Sequence, residues 1–371
     1  MGKVHKVLFA AGGTGGHVFP AIAVADAMKC ADPNVDIAFV GAAHGNESTW
    51  VQKAGYRFVL LDIDFIKGAS FGRKMRNIFA LPGCARRASK ILRDEAPDLV
   101  IGSGGYVSGP LVAVASIQGI PTAIMEQNAI PGLTNRILSR FVDKIYTSFE
   151  NTINLPKKKI VCMGNPVRSA SKREPHPIEW QTSCTGSTIG EGDLRILVFG
   201  GSQGAMKLNT GVPKALATLP EDLQSRISVY HQAGKNKCDE TTKAYEDAKV
   251  TAHITEFIDD MWSAYQWADL LICRAGATSL AEIMAAAKAS ILVPFPHAAH
   301  NHQEKNADVM VERGAAVKVL DADVETAIAP IVEDLVANRD KIEKMERCAR
   351  ENAHPEAAMD IAKDCLSFGA E

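Results

Sequence analysis

No C-x-x-C pair occurs among the eight cysteines, and none of their spacings suits a zinc site or a redox motif. No stretch is apolar for long enough to cross a bilayer. Residues 7–25 carry no formal charge and follow Lys3 and Lys6, as a signal peptide would, but four glycines and a proline within them argue against a continuous helix. Without a secretory signal, reduced thiols in the cytoplasm are expected. His297, His300 and His302 cluster without matching a usual ligand set, so no metal is expected there.

What is present is an ordinary composition, 46% apolar and 23% charged, in a chain of 371 residues, too long for one ordinary core. Two domains are the natural expectation. The net charge of −2 divides unevenly, +7 on residues 1–165 and −9 on the remainder, which suggests that the first half meets something anionic.

The chain is organised around a glycine-rich turn, Ala11-Gly12-Gly13-Thr14-Gly15-Gly16-His17. An apolar strand, Val7-Leu8-Phe9-Ala10, leads into it, and a helix is expected beyond it with Pro20 in its first turn. Strand, turn and helix N-terminus together present backbone N–H groups to one small volume, the chemistry of a diphosphate cradle. His17 closes the turn and places an imidazole at the edge of the anion site. A second copy, Gly200-Gly201-Ser202-Gln203-Gly204-Ala205, follows the strand Arg195-Ile-Leu-Val-Phe199.

Short apolar strands alternate with helical stretches throughout, the pattern of parallel α/β sheets. Strands are expected near 6–10, 36–40, 57–61, 98–102, 121–125, 144–147 and 160–162, then near 195–199, 227–231, 251–254, 269–273, 289–293 and 316–320. Gly164-Asn165-Pro166 breaks the pattern, so the domains are expected at 1–164 and 165–354. A terminal helix over 355–371, with Pro355 in its first turn and one apolar face, is expected to pack back on the first domain.

Neither turn leads to nucleotide hydrolysis or hydride transfer. Both lack the Lys-Ser/Thr ending of a triphosphate loop, and no carboxylate ends the strand Phe39-Val40-Gly41 or Tyr230-His231-Gln232 to hold a dinucleotide ribose. In Cys273-Arg274-Ala275-Gly276-Ala277-Thr278-Ser279-Leu280-Ala281-Glu282 a strand ends and a helix is expected to start near Ser279. Two readings of Glu282 stand: a capping box with Ser279, or a carboxylate that accepts both hydroxyls of a ribose. Residues 67–93 carry Lys67, Arg73, Lys74, Arg76, Arg86, Arg87, Lys90 and Arg93 with no acidic residue, interleaved with Phe71, Met75, Ile78, Phe79 and Leu81. They read either as an interfacial contact with an anionic membrane or as a surface helix whose apolar face is core.

The ordered set Gly-Gly-Thr-Gly-Gly-His, Gly-Gly-Tyr106-Val-Ser-Gly-Pro, Glu126-Gln-Asn-Ala-x-Pro-Gly-Leu-Thr-Asn, Gly-Asn-Pro-Val-Arg168, Gly-Gly-Ser-Gln-Gly-Ala and Thr-Glu-Phe-Ile258-Asp-Asp-Met closely resembles the MurG family. Those peptidoglycan glycosyltransferases add N-acetylglucosamine from its UDP-sugar to lipid I, making lipid II. The resemblance implies a B-type glycosyltransferase fold, two doubly wound Rossmann-like α/β domains facing across a cleft. The donor sits on the second domain and the acceptor on the first, at the cytoplasmic face of the inner membrane. It implies a single inverting displacement, no cofactor, no metal motif and no nucleic-acid partner.

By resemblance, Thr14, Gly15, Gly16 and Tyr106 belong to the substrate-binding loops, and Asn128 reaches the donor sugar. Arg168 and Ser202 lie near the diphosphate of UDP. Ile258 contacts uracil through its backbone, and Ala277, Thr278 and Ser279 line the nucleotide pocket. Glu282 holds the ribose, Gln303 the sugar hydroxyls, and His17 is the candidate base. Arg168 and two helix N-termini would stabilise the departing UDP electrostatically, in place of a divalent cation. Met125 stands where the family commonly has histidine, and Asn301-His302-Gln303 replaces a more usual Asp-His-Gln. Three rivals remain: a UDP-sugar epimerase, a diacylglycerol galactosyltransferase and a sugar-nucleotide sensor.

Overall fold

Thirteen strands among the described residues build two wholly parallel sheets in the computed structural model. The structure describes residues 4–42, 46–61, 71–150, 152–167, 194–201, 203–298 and 301–368, with 71–82 described by backbone alone. The chain divides into two compact units, residues 1–169 with 354–371, and residues 170–353.

In the first unit β1 (Lys6–Ala10), β2 (Asp36–Gly41), β3 (Arg57–Leu60), β4 (Leu99–Gly102), β5 (Thr122–Glu126), β6 (Lys144–Thr147) and β7 (Ile160–Cys162) lie in the order β3-β2-β1-β4-β5-β6-β7. Alternation along β1 sends Val7 and Phe9 to one core layer and Leu8 and Ala10 to the other. All four are buried, as a sheet covered on both faces by helices requires. Phe9 pairs in register with Phe39 of β2, and their rings stack 5.0 Å apart. Full burial of each such side chain contributes about 1.5–3 kcal/mol. The order reverses between β1 and β4, which opens the crevice where doubly wound sheets take their ligands.

The helix after the first glycine turn runs Gly15–Ala31, so Pro20 is its sixth residue rather than part of its first turn. The helix starts earlier than expected because Thr14 leaves the extended conformation directly into helical turns, and its carbonyl accepts from both His17 N and Val18 N. Pro20 therefore removes the donor that would have met the carbonyl of Gly16. The last helix is Ala357–Leu366 with Glu356 at its N-cap, which leaves Pro355 outside it rather than in its first turn. Ile361, Ala362 and Cys365 are buried in the same core layer as helix Gly15–Ala31. Asp364 fastens this helix to β6, accepting from Lys144 Nζ at 3.0 Å and from the Tyr146 hydroxyl at 2.6 Å.

The helix Phe71–Glu95 carries much of the basic stretch. Over its described side chains, Cys84, Ala88 and Leu92 are buried in the core while Arg86, Arg87, Lys90 and Arg93 are exposed. This part is a surface helix with a core-facing apolar stripe. Lys67 and the side chains of Phe71, Arg73, Lys74, Met75, Arg76, Ile78, Phe79 and Leu81 lie outside the described residues.

In the second unit β8 (Leu194–Phe199), β9 (Ile227–Gln232), β10 (Thr251–Thr255), β11 (Leu270–Cys273), β12 (Ala289–Leu292) and β13 (Ala316–Lys318) take the order β10-β9-β8-β11-β12-β13. Here the reversal lies between β8 and β11. Ile196 and Val198 face one core layer and Leu197 and Phe199 the other. All thirteen strands fall within two residues of the expected positions.

Candidate active site

In the first unit three loops meet at the carboxyl ends of β1, β4 and β5. The first supplies the glycine turn, where the N–H groups of Gly15 and Gly16 stand in the opening turn of a helix and have no intrahelical acceptor. Thr14 and Gly16 are exposed, Gly15 and His17 half-buried. A Cβ built on Gly13 would come to 3.9 Å from the Tyr106 ring, so Tyr106 stands beside this turn. Burial, with the nearby Glu47 carboxylate, holds the Tyr106 hydroxyl above its usual range. Glu47 itself is fully buried, and among the described residues neither of its carboxylate oxygens finds a hydrogen-bond partner.

His17 is set by its neighbours on the other two loops. Its Nδ1 lies 3.2 Å from Gln127 Oε1. Gln127 Nε2 donates to the carbonyl and to the hydroxyl oxygen of Ser103, both at 3.3 Å. Ser103 Oγ donates in turn to the His17 carbonyl at 2.6 Å. The imidazole rests against Gly104, where a Cβ would fall 2.7 Å from Nδ1 and where φ is +96°, so no other residue fits without moving the ring.

Beyond Gln127 the loop is shaped by a buried carboxylate. Glu126 is 2% exposed and accepts from Asn128 N at 2.9 Å, Asn128 Nδ2 at 3.2 Å, Gly132 N at 3.1 Å and Asn135 Nδ2 at 2.9 Å. Asn128 is thereby held half-exposed at the sheet edge, with part of its amide committed to Glu126. Ser103, Glu126, Gln127 and Asn135 were not singled out in the sequence. Their spacing gives no sign of these contacts, although Glu126, Gln127 and Asn135 stand within a recognisable motif and Ser103 immediately precedes another.

In the second unit the glycine turn follows β8, and helix Met206–Leu216 begins after it. Gln232, at the end of β9, spans two loops: its Nε2 donates to the Gly201 carbonyl at 2.9 Å and its Oε1 accepts from Ile258 N at 2.9 Å. The Ile258 side chain is buried and its N–H is taken, which leaves its carbonyl as the backbone group for a ligand. Under the turn, Asn209 Nδ2 donates to the Ala233 carbonyl, and His231, fully buried, lies between Asn209 Oδ1 at 3.1 Å and the Tyr245 hydroxyl at 2.9 Å. Burial without a charged partner pushes the His231 imidazole down to about 3.

The helix after β11 corrects the expected start near Ser279. It spans Ala277–Ala285 with Gly276 at the N-cap, and no side chain caps it. Ser279 and Glu282 are therefore the third and sixth residues, and no capping box forms. Glycine at the cap lets the chain enter the helix three residues ahead of the Ser/Glu signal. The N–H groups of Ala277, Thr278 and Ser279 all fall in the unsatisfied first turn, and among the described residues the buried Thr278 Oγ1 finds no hydrogen-bond partner. Glu282 is half-buried; its Oε2 accepts from the Tyr265 hydroxyl at 2.9 Å, and desolvation raises its carboxyl above the usual range.

Two further groups frame this edge. Arg274, 8% exposed, pairs with Asp321 at 2.6 Å and donates to the carbonyls of Val293 at 3.1 Å and Pro294 at 3.2 Å, so it braces the loop after β12. Gln303, in helix His302–Glu312, accepts through Oε1 from Phe295 N at 3.0 Å, which leaves its amide donors to face a ligand. Arg168, Ser202 and His300 lie outside the described residues. The structure thus groups Thr14, Gly15, Gly16, His17, Tyr106 and Asn128 on the first sheet edge. Ile258, Ala277, Thr278, Ser279, Glu282 and Gln303 stand around the loops of the second.

With this geometry in view, residues 7–147 match the N-terminal domain of glycosyltransferase family 28 and residues 195–361 match its C-terminal domain. The chain is 41% identical over 365 residues to the UDP-N-acetylglucosamine–N-acetylmuramyl-(pentapeptide) pyrophosphoryl-undecaprenol N-acetylglucosamine transferase of Myxococcus xanthus, covering 98% of this chain and 93% of that one. The crystal structure of Acinetobacter baumannii MurG superposes with a TM-score of 0.78 at 32% identity, over 98% of this chain and 99% of that one. A UDP-GlcNAc 2-epimerase from Neisseria meningitidis shares the fold alone, with a TM-score of 0.66 at 15% identity over 98% of this chain and all of that one.

Proposed function

The chain belongs to glycosyltransferase family 28, among the UDP-N-acetylglucosamine–N-acetylmuramyl-(pentapeptide) pyrophosphoryl-undecaprenol N-acetylglucosamine transferases, and from that premise we propose that it transfers N-acetylglucosamine from UDP-N-acetylglucosamine to lipid I. The product is lipid II, the disaccharide precursor of peptidoglycan. The observation that carries the chemistry is His17, an imidazole held at the mouth of an anion-binding turn by a buried amide. A sugar hydroxyl is a weak nucleophile and needs a neighbouring base. His17 takes the proton from the 4-hydroxyl of the N-acetylmuramyl residue while that oxygen bonds to carbon one of the donor. The bond from carbon one to the diphosphate breaks, UDP leaves with the electron pair, and the anomeric centre inverts.

The acceptor diphosphate sits on the first glycine turn, with Thr14, Gly15, Gly16 and Tyr106. The donor belongs to the second unit: uracil on the Ile258 carbonyl, ribose on Glu282, diphosphate at the N-termini over Ala277–Ser279 and the second turn with Ser202. Arg168 stabilises the charge that develops on UDP. Asn128 and Gln303 hold the transferred sugar through their amides.

The protein acts at the cytoplasmic face of the membrane, where its lipid-linked acceptor lies. The basic stretch 67–93 touches the anionic surface, each charge contributing roughly 1 kcal/mol. Leu133, Ile137 and Phe141 are 62%, 54% and 57% exposed, with Arg136 and Arg140 exposed among them, and they support such a contact on the same unit. Among the described residues no helix is long and apolar enough to cross a membrane.

The test is incubation with labelled UDP-N-acetylglucosamine and a lipid I analogue, without added metal. A labelled disaccharide lipid is expected; epimerised nucleotide sugar, or binding without transfer, contradicts the reading.

A further inference from the structure

We propose that Gln127 is a positioning residue that fixes His17 as the Nδ1–H tautomer, so that Nε2 carries the lone pair that receives the acceptor's proton. This rests on the reading of His17 as base. An amide oxygen only accepts, so the contact of 3.2 Å between Gln127 Oε1 and His17 Nδ1 requires the hydrogen on Nδ1. The amide has one orientation available. Turning it over would set its oxygen 3.3 Å from the Ser103 carbonyl, with two acceptors face to face. The Ser103 hydroxyl could not relieve this, because its hydrogen is already given to the His17 carbonyl at 2.6 Å.

The circuit closes on itself: imidazole to Gln127, Gln127 to Ser103, Ser103 back to the His17 main chain. It joins the start of helix Gly15–Ala31 to the ends of β4 and β5. Gln127 is 2% exposed and Ser103 fully buried, so water does not compete for these bonds. Gly104 leaves the ring room on that side and supports its plane. The Gln127 amide oxygen thus selects which nitrogen is the base, as in other enzymes where a partner group orients the catalytic histidine.

The test combines histidine-selective 15N NMR at pH 8 with kinetics. In the parent, the His17 resonances, assigned by their loss in His17→Ala, should show Nδ1 protonated and Nε2 bare. Gln127→Leu should move them toward a tautomer mixture and lower kcat roughly 10- to 100-fold, with UDP-N-acetylglucosamine affinity within about twofold. Gln127→Glu keeps an acceptor for Nδ1–H while setting its second oxygen against the Ser103 carbonyl, so it should hold His17 protonated on Nδ1 and lower kcat less than Gln127→Leu does. A bare Nδ1 in the parent overturns the proposal, and so does a Gln127→Leu enzyme with parental tautomer or parental kcat. If instead His17→Ala turns over at the parental rate, the base reading fails while the tautomer remains independently readable.

Discussion

The Tyr265 hydroxyl donates to Glu282 Oε2 at 2.9 Å, so one carboxylate oxygen is engaged before any nucleotide arrives. Desolvation raises the Glu282 carboxyl and the Tyr265 bond opposes that rise. As a ribose acceptor Glu282 works ionised, so donor affinity should strengthen as pH rises through its raised pKa and weaken below it. Tyr265→Phe removes the opposing bond, and the loss of affinity should then begin at a higher pH than in the parent. Glu282→Ala should weaken UDP binding by roughly 10- to 100-fold, the range for a hydrogen bond to a charged group. Calorimetric titration with UDP across pH 5 to 8 reads both effects.

A side chain on residue 204 would meet the main chain of residue 233. A Cβ there would fall 1.8 Å from the Ala233 carbonyl oxygen, and Gly204 has φ +66°. Gly204→Ala must push two backbones apart, so the second turn loses its shape and UDP affinity should fall below detection. Gly201→Ala meets nothing within 4 Å and bears only the strain of φ +83°, roughly 1–2 kcal/mol. Parallel titrations of the two variants test this ranking.

Most of the fold was legible because each buried strand is a short apolar run whose alternation feeds two core layers, as Val7 to Ala10 do. The helix starts were less legible. Pro20, Pro355 and Ser279 all carry local start signals, but the chain enters two of these helices already after Thr14 and Gly276 and reaches its last helix only at Ala357. A capping preference of about 1 kcal/mol yields to that geometry. The glycine turns could be read because diphosphate binding is a local property of the backbone. The Gln127–His17 contact could not, since it spans 110 residues and depends on the order of β1, β4 and β5.

His231 should make the second unit acid-sensitive. Its folded pKa is pushed down to about 3, against an ordinary 6.5, so below pH 6.5 the unfolded chain binds a proton that the folded chain refuses. The stability it contributes is complete above pH 6.5 and is lost progressively as pH falls toward 3. In urea titrations His231→Leu should lower stability at pH 7.5, since Asn209 and Tyr245 lose their partner, and should show a shallower decline with acid.

Asp364→Ala breaks the bonds to Lys144 and Tyr146 and loosens the last helix from β6. About 1–3 kcal/mol of stability in the first unit should be lost, because the Tyr146 hydroxyl is left largely buried. Thermal unfolding should shift down while UDP affinity stays at the parental value.

The most direct test of the account is single-turnover transfer from labelled UDP-N-acetylglucosamine to a lipid I analogue in His17→Ala, with donor affinity measured on the same preparation. Transfer should slow by roughly 100- to 10,000-fold with UDP-sugar affinity unchanged. Transfer at the parental rate would contradict it.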